Sequence, residues 1–220
     1  MKTHTKEFLD NVTPQKAYEQ LLEGNNRFVA NLKVNRDHLQ LLNEIADGQF
    51  PFAVVLSCMD SRTSAELIFD LGLGDIFSIR IAGNIVNQDI VESMEYACTV
   101  VKSKLIVVLG HSGCGAVKSA CTAFEQGSAT NGLLGKIQPA IDMAGIPGEQ
   151  DNYKAFCESV ASANVQNSID EILEKSEVIR ELYREGEIGI VGAMYSLDNG
   201  KVTFTQKLFT QRAEQNHLVF

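Results

Sequence analysis

The chain contains no tryptophan and only four prolines in 220 residues. No stretch approaches the roughly 18 consecutive apolar residues that a membrane-spanning helix requires. A cluster of lysine and arginine that could neutralise a row of phosphates is also missing, because 19 basic residues stand against 28 acidic ones, for a formal net charge of −9. Nucleic acid is therefore not an expected partner, and the acidity reads as a solubility feature. The first residues, MKTHTKEFLDN, lack the apolar segment of a secretory leader, which makes a cytoplasmic location the expectation. Five cysteines are an odd number, so a disulfide framework is not expected, and some thiols become candidates for metal ligation. What the chain does have is 45% hydrophobic residues, enough for one sizeable core. Residues 1–220 read as a single domain, without repeats or a low-complexity linker.

Thr13-Pro14 reads as an N-cap followed by proline in the first helical turn, opening an amphipathic N-terminal helical arm over about residues 13–32. Strand and helix patterns then alternate: the strand FAVVLS (52–57), helical SAELIFDL, the strand IFSIR (76–80), helical DIVESMEYACTVVKS, and the strand LIVVLG (105–110). Runs as uniformly apolar as AVVL and LIVVL suit parallel strands covered on both faces by crossover helices. Helical AVKSACTAFEQ and LLGKIQPAIDM follow, then a break at Pro147-Gly148 and a long helical region to about Glu185. EIGIVGAMYSL faces KVTFTQ across Asp198-Asn199-Gly200, a turn signal for an antiparallel hairpin. The expected fold is α/β, with about four parallel strands and an antiparallel edge strand flanked by helices.

Two of these strands run into chemistry. VVLSCMDSRTS delivers Cys58, Asp60 and Arg62 at alternate positions, and LIVVLG leads into His111-Ser112-Gly113-Cys114-Gly115. Ligands of open parallel sheets bind beyond the carboxyl ends of the strands, where neighbouring connections diverge. If the first and third strands are adjacent, Cys58, His111 and Cys114 converge there. Two thiolates and an imidazole suit zinc, and Asp60 lies within reach of the same ion. Gly113 and Gly115 would let the backbone turn tightly and leave room beside the metal. Cys98 and Cys121 sit among Ala and Thr in helical patterns, and Cys157 has no His or Cys neighbour, so these three read as packing residues. His4, His38 and His217 read as solvated. A phosphatase loop is excluded, because Arg62 follows Cys58 too closely to wrap a phosphate.

Cys58-Met59-Asp60-Ser61-Arg62 followed by His111-Ser112-Gly113-Cys114 resembles the C-x-D-x-R and H-x-x-C elements of the beta-class carbonic anhydrases. Arg80-Ile81-Ala82-Gly83-Asn84 resembles the family's R-x-A-x-N stretch, and Glu95-Tyr96-Ala97 its E-Y-A helix; the likeness spans residues 14–206. The resemblance implies the family's fold, built as a homodimer or as a tetramer of two dimers. It implies one Zn2+ per chain on Cys58, His111 and Cys114, and reversible hydration of carbon dioxide to bicarbonate and a proton. Asp60, held by Arg62, would orient the attacking oxygen, or take the fourth zinc position itself when Arg62 releases it. Gln49, Phe77, Ala82, Tyr96 and Gly115 would lie around the substrate, with Gln49 bonding a substrate oxygen and Phe77 and Ala82 as apolar walls. Two other readings share the scaffold: a hydrolase of carbon disulfide or carbonyl sulfide, and a non-catalytic zinc module with Asp60 as a permanent fourth ligand. Some family members inhibit themselves by binding bicarbonate in a second pocket, which uses a Trp three residues before the first zinc Cys together with an Arg and a Tyr. Here Val55 stands at the Trp position and Arg80 at that of the Arg, so inhibition of this kind is not expected.

Overall fold

A computed structural model describes residues 4–145 and 152–210. The chain opens with α1 (Lys6–Asn11), α2 (Pro14–Val29) and α3 (His38–Glu44), then runs through β1 (Ala53–Ser57), α4 (Ala65–Ile68), β2 (Ile76–Arg80), α5 (Gln88–Tyr96) and β3 (Leu105–His111). It continues with α6 (Gly115–Glu125), α7 (Gly132–Gly135), α8 (Gln138–Ala144), α9 (Tyr153–Lys175), α10 (Glu177–Arg184), β4 (Gly189–Tyr195) and β5 (Val202–Leu208). The five strands form one sheet in the order β2-β1-β3-β4-β5. The first four are parallel, and β5 returns antiparallel to β4 with an irregularity at Gly192/Ala193. This is the expected α/β fold.

Every residue of β1 and β3 is buried, which explains why both read as unbroken apolar runs rather than as an alternation. Val55, Leu105, Val107 and Leu109 face the side covered by Ala17, Tyr18 and Leu21 of α2. Val54, Leu56, Ile106 and Val108 face Val91 and Met94 of α5 and Val165 and Ile169 of α9. Each fully buried aliphatic side chain contributes about 1.5–3 kcal/mol, so this double-sided core fixes the relative positions of the strand ends. The N-terminal helix starts as its sequence signals, with Thr13 Oγ1 accepting from Lys16 N at 3.2 Å and Pro14 in the first turn. Its apolar face packs on the core of its own chain.

Three elements depart from the sequence pattern. The helix in SAELIFDL has only four residues, because Asp70 adopts a left-handed conformation (φ 45°) and turns its carboxylate onto Arg27 and Arg36. DIVESMEYACTVVKS is helical only to Tyr96, then widens into a π-helical turn over Ala97–Val101 that ends at left-handed Lys102. The long helical region before Glu185 is two helices, broken at extended Ser176, whose hydroxyl caps α10 by accepting from Ile179 N at 2.9 Å. His4 is not solvated as expected: it stacks on Phe8 at 4.0 Å and lies 3.1 Å from Asp75 Oδ1. His38 is exposed at the start of α3. Pro147-Gly148 and His217 lie outside the described residues.

Candidate metal centre

In this strand order β1 leads to β2 on one side and β3 leads over to β4 on the other, so the crevice between their carboxyl ends is where the connections diverge. Cys58 follows the last residue of β1, His111 is the last residue of β3, and Cys114 is the N-cap of α6. One ligand atom from each of the three lies within 4.8 Å of the others, and all three residues are buried. Two sulfurs at about 2.3 Å from a tetrahedral ion stand about 3.8 Å apart. Here Cys58 Sγ and Cys114 Sγ are separated by 3.9 Å. His111 Nδ1 is 2.9 Å from the carbonyl of Ser112, which can only accept, so Nδ1 carries the proton and Nε2 presents a lone pair. That Nε2 is buried and, among the described residues, no group donates a hydrogen bond to it. A buried acceptor without a donor costs free energy, and a cation between the three atoms would satisfy it. The set therefore fits a tetrahedral zinc ion with its fourth position open.

The electrostatics favour a thiolate at one of the two sulfurs. Either sulfur can donate across the 3.9 Å contact; with Cys114 as the donor, Cys58 is brought down to about 4 against the opposing effect of burial, and the N–H of Gly83 also points at it from 3.4 Å. Cys114 is pushed up by the same thiolate and by its own burial, opposed by the first N–H groups of α6. The pair thus shares one proton, which a cation would displace. Cys98 and Cys121 are buried, and burial pushes each thiol up to about 12, consistent with packing roles.

Asp60 stands outside the trio. Its Oδ1 accepts from Arg62 N and Nε, both at 2.9 Å, and its Oδ2 from Arg62 Nη2 at 2.7 Å. This fork holds the Asp60 carboxyl well below the usual carboxylate range. The loop itself is tied down by further groups, of which only Arg80 was singled out in the sequence. Thr63 Oγ1 lies 2.9 Å from both the Cys58 and Asp60 carbonyls, and Arg80 donates from Nε to the Cys58 carbonyl at 3.2 Å and from Nη2 to that of Asp60. Asn164 of α9 donates to the Gly83 carbonyl at 2.7 Å, and Glu158 of α9 accepts from Gly113 N at 2.8 Å. Asn164 and Glu158 lie far from the motifs in sequence, and no spacing signal could have marked them.

The remaining expected positions divide. Ala82 lies in a short 3-10 turn after β2, beside Gly83 and hence next to Cys58. Phe77 and Tyr96 line a hollow of about 520 Å³ with Val54 and Ile79, along the open side of β2 and apart from the trio. Gln49 is exposed and precedes β1, so the length of that strand separates it from the trio of its own chain. Gly113 has φ 62°, the left-handed conformation expected of a tight turn. Gly115 does not: it is the first residue of α6, and an added Cβ there would meet nothing within 4 Å, so its backbone requires no glycine.

Comparison with known proteins agrees with this geometry. A family model described as Carbonic anhydrase matches residues 53–202, which hold the trio, Asp60 and Arg62. The chain belongs to the beta-carbonic anhydrase family. It is 37% identical over 197 residues to carbonic anhydrase 2 of Mycobacterium tuberculosis, covering 88% of this chain and 93% of that one. A carbonic anhydrase of Mycolicibacterium smegmatis is 34% identical over 201 residues, covering 91% and 97%. Among solved structures, a Coccomyxa beta-carbonic anhydrase in complex with acetazolamide superposes with a TM-score of 0.68 at 18% identity, covering 93% of this chain and 92% of that one. A tetrameric beta-carbonic anhydrase of Sordaria macrospora gives 0.64 at 24%, covering 86% and 96%. At those identities the likeness is one of fold, and it is the beta-carbonic anhydrase fold.

Proposed function

We propose that this beta-carbonic anhydrase is a zinc enzyme that interconverts carbon dioxide and bicarbonate. The observation that carries the reading is the pairing of a buried Cys58–His111–Cys114 trio, with an unpartnered Nε2, and an ionised Asp60 forked on Arg62 two residues beyond Cys58. Zinc held by the trio supplies a nucleophilic oxygen near neutral pH, by lowering the pKa of water to about 7 as established for three-histidine carbonic anhydrase sites, and less strongly when two ligands are thiolates. The chain's own groups then orient and exclude. A carboxylate held far below its ordinary pKa only accepts hydrogen bonds, so Asp60 takes the proton side of the attacking oxygen and leaves a lone pair aimed at the carbon of CO2. For the same reason Asp60 is too weak a base to keep the proton, which must leave by another group.

Arg62 has 58% of its side chain exposed, so it can release Asp60 without breaking core contacts, and Asp60 could then take the fourth zinc position and close the site. Gln49, Phe77 and Tyr96 lie away from the trio of their own chain, which fits a homodimer or tetramer in which one copy's residues complete another's pocket. Five free cysteines suit a reducing compartment, the cytoplasm, and among the described residues no helix is long and apolar enough to cross a membrane. Val55 is fully buried and the Arg80 guanidinium is engaged on the Cys58 and Asp60 carbonyls, which supports the absence of a second, inhibitory bicarbonate site. The test is to offer zinc-loaded protein CO2, carbonyl sulfide and carbon disulfide in parallel. Hydration of CO2 far exceeding sulfide release supports the proposal; sulfide release alone, or no turnover with any of the three, contradicts it.

A further inference from the structure

The segment His111–Cys114 carries two of the three zinc-ligand candidates on four consecutive residues, and between the two ligands its backbone is held at Ser112 and Gly113. Ser112 is fixed to the end of β4 and the turn beyond it: its N–H donates to the Tyr195 carbonyl at 2.9 Å and its hydroxyl accepts from Leu197 N at 2.9 Å. Gly113, next along, is exposed and left-handed, the point at which such a loop has the most freedom to shift. Its N–H is held by one side chain, Glu158 of α9, at 2.8 Å. A carboxylate acceptor makes a hydrogen bond roughly twice as strong as a neutral one.

The platform behind Glu158 is braced. Near the start of α9 the Tyr153 hydroxyl lies 2.6 Å from Thr122 Oγ1 and 3.2 Å from the Lys118 carbonyl, both on α6, whose N-cap is Cys114. Glu158, Gly113 and Cys114 line one cavity of about 350 Å³, so the carboxylate approaches the loop from the side on which Cys114 lies. Two turns further along the same helix, Asn164 holds Gly83, whose N–H faces Cys58. One helix therefore reaches both sulfur ligands through a single backbone group each.

We infer that Glu158 is a positioning residue for the metal centre, fixing Gly113 so that Cys114 and His111 keep their places around the ion. The inference rests on the reading of the trio as a zinc site. It predicts that the side chain sets how firmly the metal is held, an effect of about 10–100-fold for groups that orient metal ligands. The experiment measures zinc release from loaded protein to a colorimetric chelator, and the thiolate-to-metal absorption of the cobalt-substituted protein. The variants are Glu158→Ala, Glu158→Gln, Glu158→Lys and, as a control lining the same cavity, Lys154→Ala. Glu158→Ala is expected to release zinc about 10–100-fold faster and to show altered cobalt absorption. Glu158→Gln, which retains an acceptor oxygen, should recover to within about threefold of the parent, and Lys154→Ala should match it. Glu158→Lys, which sets a donor against the Gly113 N–H, should be the worst, and it decides the matter if Glu158→Ala does not fold. Parental release rates and unchanged cobalt absorption in Glu158→Ala, or in Glu158→Lys, would overturn the inference while leaving the zinc reading intact. A parent chain that takes up no zinc would overturn both.

Discussion

Two aspartates ten residues apart, Asp60 and Asp70, are each paired with arginine, and the pairs have opposite designs. Asp70 has 2% of its side chain exposed and meets two guanidinium groups, Arg27 Nε and Arg36 Nη1, each at 2.6 Å, with Val34 N at 3.2 Å. Arg36 is itself 7% exposed, so the cluster is a buried tie between the segment after α2 and the turn after α4. The Asp60 side chain is 17% exposed, and Arg62, the arginine forked on its carboxylate, is 58% exposed. The difference teaches that an Asp/Arg pairing acquires its role from solvent access. A buried, multiply bonded carboxylate holds the chain together, while a partly exposed carboxylate beside metal ligands, forked on an exposed arginine, can work on a substrate.

The strongest way to break this comparison is to remove the buried tie. Asp70→Ala removes the buried carboxylate that Arg27 and Arg36 share and should cost about 3–5 kcal/mol in urea unfolding, while the fraction that folds keeps its zinc. The pH dependence has a definite sign. Burial pushes the Asp70 carboxyl up, but hydrogen bonds from Arg27, Arg36 and Val34 outweigh it and hold the group below its ordinary 3.8. The pairing therefore stabilises fully above that unfolded value and is lost only as pH falls through the lower folded one. The stability gap between parent and Asp70→Asn should be flat above about pH 5 and close below about pH 4; a gap that widens on acidification would contradict it.

Asp60→Asn should do the reverse: stability within about 1 kcal/mol of the parent, but hydration slowed about 100-fold or more, because an amide cannot act as a pure acceptor toward the attacking oxygen. Arg62→Ala sharpens the contrast further. Its melting curve should match that of the parent, as exposed pairs contribute about 0–1 kcal/mol, whereas a structure of its zinc form should show Asp60 turned onto the metal. An open fourth position there would count against the gating role of Arg62. The smallest expected effect is a null one: bicarbonate titrated at fixed pH and ionic strength should inhibit without cooperativity. A Hill coefficient clearly above one would show that a second anion site exists despite Val55.

Much of this was legible in the residues, for physical reasons that differ by region. AVVL and LIVVL announced buried parallel strands because both faces of those strands need apolar cover. Cys58, His111 and Cys114 stood out because they lie at or just beyond the ends of two apolar strands, whose adjacency was a condition in the sequence and is given by the sheet order. The short helix α4 was hidden because the left-handed turn at Asp70 depends on Arg27 and Arg36, more than 30 residues upstream. His4 read as solvated since nothing local reveals Phe8 stacking on it or Asp75 beside it. Glu158 and Asn164 were invisible for the same reason: each acts on a backbone group of a distant loop, and backbone groups leave no mark in sequence. Gly115 shows the converse for the expected tight turn: it begins α6, and its backbone conformation has no need of a glycine.

The central claim is that the trio binds zinc while Asp60 serves the chemistry, and stopped-flow hydration of CO2 on zinc-quantified parent and Asp60→Asn protein tests it most directly. The predicted result is one zinc per chain in both proteins, with turnover that rises from about pH 7 to 9 in the parent and is largely lost in Asp60→Asn. Stoichiometric zinc with no turnover in the parent across that range, or near-parental turnover in Asp60→Asn, would contradict it.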